Sequence, residues 1–251
     1  GWRNVYVIFA SIVLFFILPL IFITVIDDPK TVNQVKDGIK IDKEEEPLPQ
    51  EITATDLISQ KVFWMISLAF AFQFMSMMGV LTFLPVHASK MGLEETWHLL
   101  GLPVKQYVFA YSLAAFGGVL GKILFGYLID TMKAAYPSMM AMFLQAIGIF
   151  GITYFNEPNI FLLSAFLFGL GFGAATPLMT TCYLRTFGAH NLGKVRGIAS
   201  PIVSPLQPIG VLVTSILIGF QDTYFVAFNI MGCLALVAVI LASQIHEPKK
   251  I

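Results

Sequence analysis

In the stretch GGVLGKILFGYLID, residues 117–130, Lys122 interrupts an apolar, glycine-stepped run, and it is the only Lys, Arg, Asp or Glu lying well inside any apolar stretch of the chain. A charge in the middle of a bilayer-spanning helix costs at least about 2.5–3.5 kcal/mol on insertion scales. Two arrangements relieve that cost. The long stem can lift the ammonium toward the headgroups, or the side chain can face a water-filled cavity and meet an anion. No apolar run offers an Asp or Glu, so the counter-charge must be a ligand or a carboxylate from elsewhere. The chemistry in view is therefore anion recognition rather than bond making. Helical spacing puts Tyr111, Ala115, Gly118 and Lys122 near one line, which lets the Tyr111 hydroxyl reach something held by Lys122, unless it packs at a helix contact. Three neutral polar groups join the candidates: Gln73, Gln207 and Thr176, the last standing directly before Pro177. Gln145 and Asn229 are the other membrane amides, and interhelical hydrogen bonding is the plainer role for these two and for Gln73.

The elements that must position these groups are read from glycine and proline. Gly117 and Gly121 form a small-xxx-small pair, as do Gly169 and Gly173 in FGLGFGAATP, and such pairs let helix backbones approach closely in lipid. SPIVSPLQPIG places Pro201, Pro205 and Pro208 in one span around Gln207. Each removes a backbone donor and strains the preceding turn. A broken helix at membrane depth is tolerated where it is buried in protein or lines a water-filled cavity. His87, His98, His190 and His246 fall at span edges or in loops, and Cys182 and Cys233 read as small apolar residues. No catalytic cluster, metal site or cofactor is expected. Met75, Met77 and Met78 read as soft packing.

Of the 251 residues 57% are hydrophobic and 12% charged, about half the charged share of a soluble domain. The class is all-α: a polytopic transmembrane helical bundle, partnered by the lipid bilayer. Seven spans are expected, at about 4–26, 62–88, 106–129, 134–155, 159–184, 198–220 and 223–244, each near the length of about 20 residues that crosses a bilayer core. The organisation is one helix over 1–26, a linker over 27–61, a bundle over 62–246 and a tail at 247–251. The linker mixes Lys with Asp and Glu and holds Pro47 and Pro49. That composition cannot bury enough surface to fold alone, although TATDLISQKVFW predicts a short amphipathic helix leading into the second span.

Basic residues fix the expected orientation. Lys30, Lys36, Lys40, Lys43, Lys61, Lys133, Arg185, Lys194, Arg196, Lys249 and Lys250 fall on one side of the membrane, and only Arg3, Lys90 and Lys105 on the other. The first side, with the linker and the C-terminus, is expected in the cytoplasm. The N-terminus is then outside, without an initiator Met or export signal, which leads to the expectation of a longer protein upstream of Gly1. Zero net charge gives no reason to expect nucleic acid as partner.

These residues resemble the C-terminal half of a major facilitator superfamily transporter, preceded by the last helix of its N-terminal half. GWR at the first span is similar to the start of the family's sixth helix. The long charged linker before Phe63-Trp64 is similar to the connection between the two six-helix halves. GKILFGYLID, residues 121–130, resembles the G-[RK]-x-x-x-G-x-[LI]-x-D signature of the eighth helix, and RTFGAHNLGKVRG, residues 185–197, resembles the turn before the eleventh. The resemblance implies that Gly121, Gly126 and Asp130 are gating residues, that substrate sits near the midplane between halves, and that a six-helix half lies upstream. Asp130 ends a helix, where the macrodipole disfavours a negative charge, so its partner is expected elsewhere, in that other half. The family's arginine run after this Asp is here only TMK, which implies a weaker latch.

The oxalate/formate-antiporter and monocarboxylate-transporter groups look most similar, because they place a substrate-binding basic residue at the position matching Lys122. The oxalate type carries a second basic residue in the eleventh helix, and GIASPIVSPLQP offers none, which speaks against a dicarboxylate. The resemblance thus implies a secondary transporter of small organic anions in the plasma membrane, or the inner membrane of a bacterium, working by alternating access with possible proton coupling. The alternative is an efflux permease for neutral or amphipathic compounds, with Lys122 paired to an acid of the other half. A seven-helix receptor is more remote, and a retinal protein is excluded by the absence of lysine from the last span.

Overall fold

Apolar runs of this length satisfy their backbone polar groups only by coiling, and the computed structural model of the chain is helical throughout its spans. It describes residues 2–24, 52–93, 95–99, 102–221 and 223–245. The first part of the expected linker and the tail at 247–251 lie outside the described residues. The chain divides into two units, residues 1–49 and 50–251.

In the first unit, α1 (Trp2–Ile12) runs through a π-helical turn at Val13–Ile17 into α2 (Leu18–Thr24). The widened turn immediately precedes Pro19, which has no N–H for the helical ladder.

The second unit begins with α3 (Ala54–Ser59), capped by the Thr53 hydroxyl, which accepts from the Asp56 N–H at 3.2 Å. There follow α4 (Lys61–Leu81), α5 (Leu84–Lys90), a hairpin of β1 (Thr96–Leu99) and β2 (Leu102–Lys105), α6 (Gln106–Thr131) and α7 (Ala135–Tyr154). The chain continues through α8 (Pro158–Gly173), α9 (Ala175–Phe187), α10 (Leu192–Val203), α11 (Leu206–Gln221) and α12 (Tyr224–Ala242). Seven helical stretches among the described residues are long and apolar enough to cross a membrane, with α8–α9 and α10–α11 each counting as one.

Three features differ from the sequence expectation. The second span ends at Leu81 rather than near Ala88, because the chain turns at Thr82–Phe83 and restarts as α5 with Pro85 in its first turn. The segment before α6 forms an antiparallel hairpin, Thr96 opposite Lys105 and Leu99 opposite Leu102. The sixth span starts at Leu192, six residues before the expected Ile198, and breaks at Ser204–Pro205.

In lipid no hydrophobic force drives helix against helix, so close backbone approach and interhelical hydrogen bonds must hold them together. Helix α6 lies against α8, α7 against α8 and α12, and α4 against α11 and α12. The α6–α8 seam shows how close the approach is. A Cβ on Gly117 would come to 2.5 Å from the Phe166 carbonyl oxygen, one on Gly121 would fall on the Leu170 carbonyl, and those on Gly169 and Gly173 would fall on the Ala114 and Gly118 backbones. Fully buried Phe63, Phe70, Phe125, Phe161, Phe168 and Phe228 fill the bundle.

The two ends of the bundle differ. One carries Arg185 and the α9–α10 turn, where Gly188 leaves the helix at φ +80°. The Arg185 guanidinium donates to the carbonyls of Met132, at 2.7 Å, and Ile129, capping α6 with the charge its C-terminal dipole favours. The other end carries the hairpin. There His87 is buried against Phe161, Tyr224 and Phe228, with ring centroids 5.0–5.9 Å away, and a ring nitrogen 3.1 Å from the Ile152 carbonyl oxygen. A carbonyl only accepts, so that nitrogen bears the hydrogen.

Candidate functional site

Proline decides where polar groups can gather. Pro201 lies inside α10, and Pro205 falls at the break before α11, with Pro208 in the first turn beyond it. With three N–H groups missing, α10 and α11 do not continue one another, and 17% of the most apolar stretch of α10–α11 is buried, against 56% for α8–α9. Between α4, α9, α10 and α11 this leaves a cavity of about 330 Å³.

Thr176 and Gln207, two of the expected substrate-binding residues, line this cavity from opposite helices. Thr176 sits in the first turn of α9, just after the helix restarts at Ala174, and its carbonyl accepts from Thr180 at 3.0 Å. Gln207 sits in the first turn of α11. The same wall adds Arg196, Ser200 and Ser204, with the Tyr183 ring opposite and Phe74 and Met77 closing the α4 side. The Tyr183 hydroxyl and Ser67 Oγ lie 2.8 Å apart behind it. Among the described residues the cavity lining contains one formal charge, that of Arg196, and no carboxylate. A guanidinium with hydroxyl and amide donors around it suits a small anion.

Arg196, Ser200 and Ser204 are the site residues the sequence reading missed. Their spacing of four puts them on one helical face, with Gln207 three further on, and that periodicity was available in the sequence. It was hidden because the span was expected to begin at Ile198, which left Arg196 in a loop.

Lys122 and Tyr111 lie outside this cavity. Both are exposed on α6, Tyr111 at 42%, and Lys122 makes no hydrogen bond or ion pair among the described residues. The expected common face is split: Ala115 is exposed with them, but Gly118 is buried, facing the Phe172 ring across the seam to α8. Gln73 also lies outside the cavity. It is fully buried, its Nε2 donates to the Gly171 carbonyl at 3.3 Å, and its backbone carbonyl accepts from Gln145 Nε2 at 3.0 Å. Gln145 further reaches Ser76 Oγ at 2.7 Å. These amides tie α4, α7 and α8 together, as polar side chains in membranes commonly do.

Of the residues expected to act in gating or close helix packing, Gly117, Gly121, Gly169 and Gly173 form the α6–α8 seam, while a Cβ on Gly126 would have nothing within 4 Å. Asp130 is exposed in the last turn of α6 and has no hydrogen-bond or ion-pair partner among the described residues. Pro201, Pro205 and Pro208 are exposed on the broken span. No group of three or more His, Cys, Asp or Glu that could hold a metal occurs among the described residues.

Comparison with known proteins places this architecture. No curated protein matches the chain. A solved structure described as an auto inhibited POT family peptide transporter is similar in fold, with a TM-score of 0.60 at 17% identity. The match covers 76% of this chain and 40% of that one, so this chain spans well under half of the transporter it resembles. The sequence profile of the Major Facilitator Superfamily matches residues 1–206. With seven helices among the described residues long and apolar enough to cross a membrane, the chain is an integral multi-pass membrane protein, and it belongs to the Major Facilitator Superfamily.

Proposed function

We propose that the chain is part of a secondary transporter of small organic anions, monocarboxylates in particular, working by alternating access rather than catalysing a reaction. The observation that carries this reading is the cavity at the broken span, whose single charge is the Arg196 guanidinium and whose other polar groups are the hydroxyls and amides of Thr176, Ser200, Ser204 and Gln207. A carboxylate entering it finds charge-assisted donors and no repelling acid.

In this reading Lys122 is a second cation on the exposed face of α6, meeting the substrate in the cleft completed by a six-helix half upstream. The Arg185–Arg196 end faces the cytoplasm, and rocking of the two halves exposes the site to either side. Glycine-packed α6–α8 moves as one body, and the α10–α11 break takes up the change of shape.

Uptake of a radiolabelled monocarboxylate into membrane vesicles tests the reading. Lys122→Ala should abolish uptake, and Lys122→Arg should keep part of it. Unchanged uptake in the Ala variant would remove Lys122 from the site and favour a permease for neutral or amphipathic compounds.

A further inference from the structure

A second polar cavity, of about 410 Å³, opens at the hairpin end of the bundle. Lys90, Asn156, Thr223 and Tyr154 line it beside buried His87, and no carboxylate lines it among the described residues. The Lys90 ammonium lies 5.2 Å from the centre of the Tyr224 ring, which fixes the cation at the cavity edge. A shallow, almost wholly apolar groove of about 330 Å³ lies along the exposed face of α12 from the same place, formed by residues of that helix alone, Phe225, Ile230, Cys233 and Val237 among them. The two hollows share Phe225. They are also tied by Tyr154, whose hydroxyl donates to Asn229 Oδ1 at 2.9 Å and whose ring meets Phe225 edge-on at 5.2 Å.

A cationic pocket at a membrane-helix end, opening onto an apolar trough, has the polarity of a phospholipid laid along the helix. From Phe225 to Val237 the groove extends about 18 Å at 1.5 Å per residue. One leaflet's hydrocarbon is about 15 Å deep, so a single acyl chain fits the groove from the interface to the midplane. We propose that this face of α12 binds one anionic phospholipid, with its phosphate headgroup at Lys90, Asn156 and Thr223 and an acyl chain over Ile230, Cys233 and Val237. Aromatic Tyr154 and Tyr224 sit where interfacial rings are favoured. The site is separate from the Arg196 cavity, and the proposal stands whatever that cavity carries.

Cys233 reports on the groove directly, since its thiol is exposed there while Cys182 is buried. The test is the rate at which a maleimide modifies Cys233 in the detergent-solubilised chain, with dioleoyl phosphatidylglycerol, dioleoyl phosphatidylcholine or inorganic phosphate added. Phosphatidylglycerol should slow labelling about tenfold at ten times its Kd, and the other two should leave the rate unchanged. Lys90→Gln should erase the protection and Lys90→Arg should restore it. Equal protection by both lipids, or by neither, overturns the proposal. So does protection by phosphate alone, which makes the pocket a free-anion site, and so does labelling that slows with protein concentration, which makes the groove a contact between copies. Should Lys90→Gln fail to fold, Ile230→Trp fills the groove with Lys90 in place; wild-type retention of phosphatidylglycerol in that variant, read by native mass spectrometry, overturns the acyl-chain assignment.

Discussion

The α6–α8 seam and the wall formed by α10–α11 lie in the same bundle and are built on opposite rules. Along the seam, glycines bring backbone against backbone, and the Gly169 and Gly173 positions leave no room for a methyl group. Along the wall, prolines interrupt the helix, little of it is buried, and a polar cavity opens at the break, with close backbone contact resuming only beyond it, where Gly210 meets Met75 of α4. A membrane helix gains stability from close van der Waals contact and loses it where backbone groups go unpaired. The seam is thereby closed backbone against backbone, and the wall leaves a polar cavity at its break. Variants along the seam should cost fold, and variants along the wall should cost anion handling.

The largest expected effect on stability is at the seam. Gly169→Leu should lower stability by about 1–3 kcal/mol, the usual range for overpacking, seen as a fall in the melting temperature of the purified chain. Gly126→Ala, on the same pair of helices but in open space, should instead be neutral or raise stability by up to about 1 kcal/mol, the helical preference for Ala over Gly. Equal losses at both positions would dissolve the distinction between seam and open face.

Arg185 sharpens the contrast because it is a second arginine, at the end of α9, that lies outside the cavity lining and does other work. Its guanidinium caps α6 through the Met132 and Ile129 carbonyls, so Arg185→Gln should cost about 1 kcal/mol of stability and leave the affinity for anions unchanged. A change in affinity with unaltered melting would make Arg185 part of the site.

The smallest effect concerns the hairpin end, where packing is tight around a titratable group. Burial among aromatic rings holds His87 below its ordinary value of 6.5; the bond to Ile152 opposes that shift and the Lys90 charge adds to it. Between pH 6.5 and the lowered folded value, the unfolded chain binds the proton and the folded chain does not, so stability falls with falling pH. Melting temperature should stay level above pH 6.5 and decline below it, and His87→Gln should flatten the decline. A pH-independent melt in the wild type would contradict the neutral, buried ring.

The spans and the glycine seam were legible because both are written in a helical period: apolar runs near 20 residues, and glycines four apart at 117 and 121 and at 169 and 173. The hairpin at 96–105 was missed because four-residue strands carry too little alternation to register beside long apolar helices, and a strand pair is decided by its partner. Gln73 could not be placed, since whether an amide meets ligand or the Gly171 carbonyl depends on a helix about a hundred residues away. Arg196 was lost to a boundary. Asn191, buried at the start of α10, donates to the Phe187 carbonyl at 3.1 Å and accepts from the Ile52 N–H at 3.2 Å. Those contacts hold the turn against α9 and the segment before α3, and the helix begins early enough to bring Arg196 onto the cavity wall.

Anion recognition at that wall is best tested by competition between a carboxylate and its uncharged amide for labelled substrate on the membrane-embedded protein. The carboxylate should compete and the amide should not, and Arg196→Gln should weaken the carboxylate by about tenfold or more, the loss expected for a hydrogen bond to a charged group, with melting unchanged. Equal competition by acid and amide, or an unaltered carboxylate affinity in Arg196→Gln, would show that the cavity does not recognise charge.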